Sequence, residues 1–101
     1  MSYARAGDVE IYYELHGPRV GAGRAPAVLV MGLGSDANAW EKQIAALAGD
    51  RPVLVLDNRG VGRSGKPRGP YSTALLADDL ALVMDAAGIQ TAHVAGISLG
   101  G

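Results

Sequence analysis

The chain has no cysteine, which excludes disulfides, thiolate metal sites and a thiol nucleophile together. It also lacks an excess of either charge. Nine Lys and Arg against ten Asp and Glu leave a formal net charge of -1, so composition offers nothing to hold a nucleic acid or an anionic membrane, and neither partner is expected. No segment approaches the roughly 20 apolar residues of a membrane span, and Met1 to Asp8 has no apolar leader core. A cytoplasmic protein is therefore expected. Internal repeats and low-complexity tracts are missing too. What is present, 101 residues at 49% hydrophobic and 19% charged, has the composition of a globular domain and the length of at most one.

Glu10 to Leu15 alternates, with Ile11, Tyr13 and Leu15 on one face and Glu10, Tyr12 and Glu14 on the other, the period of a half-buried strand. Gly7-Asp8 can turn it back on Tyr3 to Arg5 as a hairpin. Gly17 to Pro26 is rich in Gly and Pro and reads as a loop. The runs Ala27 to Met31, Val53 to Leu56 and Ala92 to Ala95 are apolar without strict alternation, as expected of strands covered on both faces.

Helical spacing falls between these runs. About Asn38 to Ala48, Trp40, Ile44 and Leu47 share a face, with Ser35 or Asp36 as N-cap and Gly49 as the stop. About Thr73 to Ala87, the stripe is Leu76, Leu80, Val83, Met84 and Ala87, opened by Ser72 and closed by Gly88. Strand, helix, strand, helix, strand predicts an α/β fold with a mostly parallel sheet, an N-terminal antiparallel hairpin and two covering helices.

Gly96-Ile97-Ser98-Leu99-Gly100 matches the Gly-x-Ser-x-Gly nucleophile elbow and directly follows a predicted strand. A sharp strand-to-helix turn projects the serine hydroxyl clear of the sheet, and the two glycines are needed because a Cβ would clash there. The competing reading is an ordinary strand-to-loop serine. An oxyanion needs two donors, and the Leu99 amide after the nucleophile supplies one. Met31-Gly32-Leu33-Gly34-Ser35, the loop after the third strand, offers the Leu33 amide as the other, unless it is a plain Gly-rich turn.

With Tyr12-Tyr13-Glu14-Leu15-His16-Gly17, Met31 to Gly34, Asp57-Asn58-Arg59-Gly60-Val61-Gly62-Arg63-Ser64 and Gly96 to Gly101, the chain resembles the N-terminal part of an α/β-hydrolase-fold enzyme. The likeness runs over nearly all of it. It implies that residues 1–101 are a partial hydrolase domain ending at the elbow, with Ser98 as nucleophile and the Leu33 and Leu99 amides as the oxyanion hole. Chain order in that family places the acid and then the His after the nucleophile, so both are expected beyond Gly101. Many members have His-Gly where this chain has Met31-Gly32. The pattern is similar to the esterase and lactonase branch. Epoxide hydrolases and haloalkane dehalogenases carry Asp at the nucleophile position, and Ser98 argues against both. The implied substrate is a small carboxylic ester or lactone, with no cofactor and no metal, and the chain alone is expected to be inactive. The resemblance also implies an exposed edge on the elbow strand, open to a missing C-terminal half or to self-association.

Two alternatives stand beside this reading: a non-catalytic truncated or pseudoenzyme chain, and, more weakly, a P-loop-like nucleotide-binding module. Gly60 to Lys66 matches the latter up to its lysine, but Pro67 stands where a Ser or Thr is needed for Mg²⁺, and Lys66 to Pro70 cannot open the phosphate-binding helix. His16 and His93 read as structural, Asp78, Asp79 and Asp85 as a solvated helix face or cap charges, and Trp40 and Leu47 as helix core.

Overall fold

The computed structural model describes residues 2–21, 24–32 and 36–97. Strands β1 (Ser2–Ala6) and β2 (Val9–His16) form the expected hairpin, Ala6 opposite Val9 across Gly7-Asp8. Strand β3 (Ala27–Val30) leads into a 3₁₀ turn (Ala37–Trp40) and helix α1 (Glu41–Leu47). Strand β4 (Val53–Leu56), helix α2 (Thr73–Ala86) and strand β5 (His93–Gly96) follow. The five strands stand in the order β1-β2-β4-β3-β5. Strand β2 runs antiparallel to β4, and β3 lies parallel to both β4 and β5.

Strands β3 and β4 are buried on both faces, as their unbroken apolar runs require. Their side chains divide by the period of two. Val28, Val30, Leu54 and Leu56 join Ile11, Tyr13 and Val83 on the α2 side, while Leu29, Val53 and Val55 meet Ala37 and Trp40 on the other. Strand β5 is not covered on both faces as its apolar run suggests, but is the exposed edge that the resemblance implies. All four of its residues are exposed, because it is outermost in the sheet and bonded through β3 alone among the described residues.

The Ser72 hydroxyl caps α2 by accepting from the Leu75 amide at 3.1 Å, and Gly88 ends it at φ 76°, a left-handed geometry that suits glycine. At the first helix Asp36 is the cap, taking the Asn38 amide at 3.0 Å. Gly49 directly follows the C-cap Ala48 of α1, where a stop is expected, but without the left-handed φ that Gly88 has.

Two further expectations are overturned. Tyr12, assigned to the open face of β2, is 1% exposed. The loop after β4 covers it, with the Arg63 guanidinium 4.1 Å above its ring and Ser64 Oγ accepting its amide. Asp79, assigned to solvent, is 1% exposed and paired with Arg59, whereas Asp78 and Asp85 are exposed as expected. No helix among the described residues is long and apolar enough to cross a membrane.

Candidate active site

The parallel strands carry three loops out at one end of the sheet. Val30 lies opposite Gly96, and the ladder continues one residue further, the Ile97 amide donating to the Val30 carbonyl at 3.2 Å. The chain therefore leaves β5 toward residue 98 beside the point where β3 passes into Met31 and Gly32. Ser98, Leu33 and Leu99 themselves lie outside the described residues. From β4, the third strand ending here, come Asp57, Asn58 and Arg59.

Asp57 is fully buried and its carboxylate is already used. Oδ1 accepts the Ala37 amide at 2.7 Å and Oδ2 the Arg63 amide at 2.8 Å. Its carbonyl takes the Ser64 hydroxyl at 2.5 Å, and its own amide donates to the Tyr12 carbonyl at 3.0 Å. A carboxylate with both oxygens held by backbone donors is a structural post, not a free acid. Asn58 Nδ2 donates to the Met31 carbonyl at 3.1 Å. Arg59 reaches the other way, to Asp79 at 2.6 and 2.8 Å, and that hydrogen-bonded pairing holds its guanidinium above the usual range against the opposing effect of burial. A small cavity of about 110 Å³, lined in part by Gly32, Asn58, Val61 and Tyr71, opens among these residues.

Both histidines sit at the opposite end. His16 is opposite Val53, Val53 opposite Ala27, and Ala27 opposite His93, so one row across the sheet contains both. Along β5 the three steps from His93 to Gly96 span roughly 10 Å, away from residue 98's end. His16 Nε2 is 2.8 Å from Glu14 Oε1, and Tyr12 donates its hydroxyl to Glu14 Oε2 at 2.5 Å. The Glu14 carboxyl accordingly lies below its usual range, chiefly through Tyr12 and then His16, with burial opposing. The Tyr12 hydroxyl is pushed up to about 12 by the same bond, aided by burial. A larger groove of about 250 Å³ borders Glu14, His16, Asn38, Glu41 and Ile44, but takes no residue from the ends of β3 or β5.

The phosphate-loop match also receives a structural account. Lys66 Nζ is spent on the Gly62 carbonyl at 2.5 Å and reaches the Ser64 carbonyl at 3.4 Å, and the next helix after it does not begin until Thr73. Among the described residues no group of three or more His, Asp or Glu could hold a metal ion. The contribution of Asn58 is the one that sequence reasoning missed, since nothing local reveals that its side chain crosses to β3.

A sheet of this order, with a Gly-x-Ser-x-Gly segment after an edge strand and a Gly-rich segment after its parallel neighbour, defines an α/β hydrolase architecture. Residues 26–101 match the alpha/beta hydrolase fold family, and the chain belongs to it. It is 48% identical over its full length to a protein of Azorhizobium caulinodans named carbamate hydrolase RutD, covering 36% of that protein. Among solved structures it is similar to the enol-lactonase from Burkholderia xenovorans LB400, with 37% identity and a TM-score of 0.91 over 98% of this chain and 38% of that one. It also matches Est816, described as an N-acyl homoserine lactone degrading enzyme, at 33% identity and a TM-score of 0.88 over 98% of this chain and 36% of that one. The chain spans about a third of the length of the curated relatives it matches.

Proposed function

We propose that these residues supply the nucleophile and oxyanion hole of a serine hydrolase acting on a carboxylic ester or lactone. The observation that carries the reading is the parallel register of β3 and β5, Val30 opposite Gly96, which sets side by side the ends of the two strands that precede the Gly-rich and Gly-x-Ser-x-Gly sequences. Ser98 Oγ attacks the carbonyl carbon, its proton passes to a His base, and the carbonyl electron pair moves to an oxygen held by the Leu33 and Leu99 amides. Collapse expels the alcohol oxygen, which takes the proton from the His. Water then attacks the acyl-enzyme by the same route, releasing the acid and restoring Ser98. The base and its acid come from outside these 101 residues, since His16 and His93 lie at the far end of the sheet. The open side of β5 would accept a further strand, from the rest of a hydrolase domain or from a second copy. The name of the 48% identical relative favours a second substrate class, a carbamate, whose carbonyl would be attacked in the same way.

The test compares the 101-residue chain with a longer polypeptide carrying it, each assayed on a nitrophenyl ester, a lactone and a carbamate. The short chain is expected to stay at the buffer rate. The longer one is expected to hydrolyse at least one substrate and to lose roughly a thousand-fold or more in kcat on Ser98→Ala. Hydrolysis that survives that substitution overturns the reading, and no hydrolysis by either favours a non-catalytic chain.

A further inference from the structure

The segment after β3 begins at Met31, and regular structure resumes at Ala37. Both of these points are tied to consecutive side chains of another strand's loop. Asn58 Nδ2 donates to the Met31 carbonyl at 3.1 Å, and Asp57 Oδ1 accepts the Ala37 amide at 2.7 Å. Both side chains are deep, Asp57 fully buried and Asn58 7% exposed, so water competes poorly for either bond. The post itself is fixed. The Asp57 amide is paired with Tyr12 on β2, and its second carboxylate oxygen accepts the Arg63 amide. Gly62, at φ 55°, lies so close that a Cβ there would strike that carboxylate.

We infer that Asp57 and Asn58 are positioning residues that clamp the β3 loop at its two ends and thereby set the direction of the Leu33 amide. The inference rests on the hydrolase reading above. Its physical core is peptide planarity: holding the Met31 carbonyl also fixes the Gly32 N–H in the same plane. Only the φ and ψ of Gly32 then separate that fixed plane from the plane bearing the Leu33 N–H. Glycine at this position allows a wide range of directions, so without the Asn58 anchor two rotatable planes, not one, intervene between the sheet and the donor. An oxyanion donor is worth about 10² to 10³ in kcat only when it is aimed at the developing charge, and a displacement of order 1 Å costs about a hundred-fold. A positioning residue should therefore act on kcat while leaving ground-state binding alone.

The test uses Asn58→Leu, which keeps the volume and removes the donor, Asn58→Asp, which turns it into an acceptor facing a carbonyl, and Asn58→Gln, which retains an amide. Amide hydrogen exchange on the 101-residue chain is expected to accelerate about ten-fold or more between Gly32 and Ala37 in the first two variants. Val53 to Leu56 should be unchanged, which separates a loosened loop from a failure to fold. In a longer polypeptide that hydrolyses a nitrophenyl ester, kcat is expected to fall about 10- to 100-fold with KM within about two-fold, and Asn58→Gln to recover part of it. Unchanged loop exchange, or kcat and KM moving together, overturns the inference. If no polypeptide carrying these residues hydrolyses any substrate, the hydrolase reading fails and the oxyanion role with it, while the exchange measurement still decides whether the clamp exists.

Discussion

Replacing Asp79 with alanine removes the carboxylate bonded to Arg59, and the geometry sets how much that matters. The pair is bidentate, at 2.6 and 2.8 Å, with the side chains 11% and 2% exposed for Arg59 and Asp79. It joins the loop after β4 to the middle of α2. A surface pair would contribute under about 1 kcal/mol. Removing one partner of a buried pair instead leaves an uncompensated charge, at about 3 to 5 kcal/mol. The residual exposure of Arg59 gives its guanidinium a route to water, which selects the lower end, about 3 kcal/mol. With a urea slope of about 1 to 3 kcal/mol per molar, the unfolding midpoint should fall by roughly 1 to 3 M. Joint replacement, Arg59→Met with Asp79→Leu, should return most of that loss, because an apolar pair of similar size has no charge to desolvate. Urea unfolding followed by circular dichroism, run as a double-mutant cycle, is the measurement. A loss below about 1 kcal/mol in Asp79→Ala, or single effects that merely add in the double variant, would refute the reasoning.

Ser64→Ala is expected to cost about 3 kcal/mol, because it strips partners from the Tyr12 amide and the Asp57 carbonyl at a site 3% exposed; a change under 1 kcal/mol in the same assay would contradict this. Tyr12 should impose an alkaline limit. A hydroxyl raised in the folded state to about 12 contributes stability that is complete below pH 10 and lost as pH rises from 10 toward 12, so Tyr12→Phe should flatten that slope and remove the latest phenolate absorbance step. A wild-type slope identical to that of Tyr12→Phe would count against the Tyr12–Glu14 bond.

Local signals carried much of the architecture. Helix α2 runs from Thr73 to Ala86, within a residue of its expected end, because Ser72 and Gly88 are determinants that act on their immediate neighbours. The hairpin was legible for the same reason. Burial set by distant residues was not. Alternation in β2 correctly separates two faces, but it cannot reveal that Arg63 and Ser64 fold back over Tyr12. Asp79 beside Asp78 looks like a solvated pair until Arg59, from a different element, is brought against it. The exposure of β5 likewise depends on its place in the sheet, which His93-Val94-Ala95-Gly96 does not encode by itself. At the candidate site the motifs gave residue types, while the register of β3 with β5 and the reach of Asn58 belong to the tertiary structure.

The strand order bears on how the chain is built during synthesis. Strand β4 is made after β2 and β3 yet stands between them, so neither gains its inner neighbour until Val53 to Leu56 has been translated. Until then the nascent chain holds a lone β1–β2 hairpin, marginal by itself in water. The arrival of β4 joins three segments in one event. Strand β5 is made after these four and adds to an edge already in place. Errors in β4 would therefore stall folding and expose the nascent chain to quality control, whereas errors confined to β5 would leave the other four strands joined.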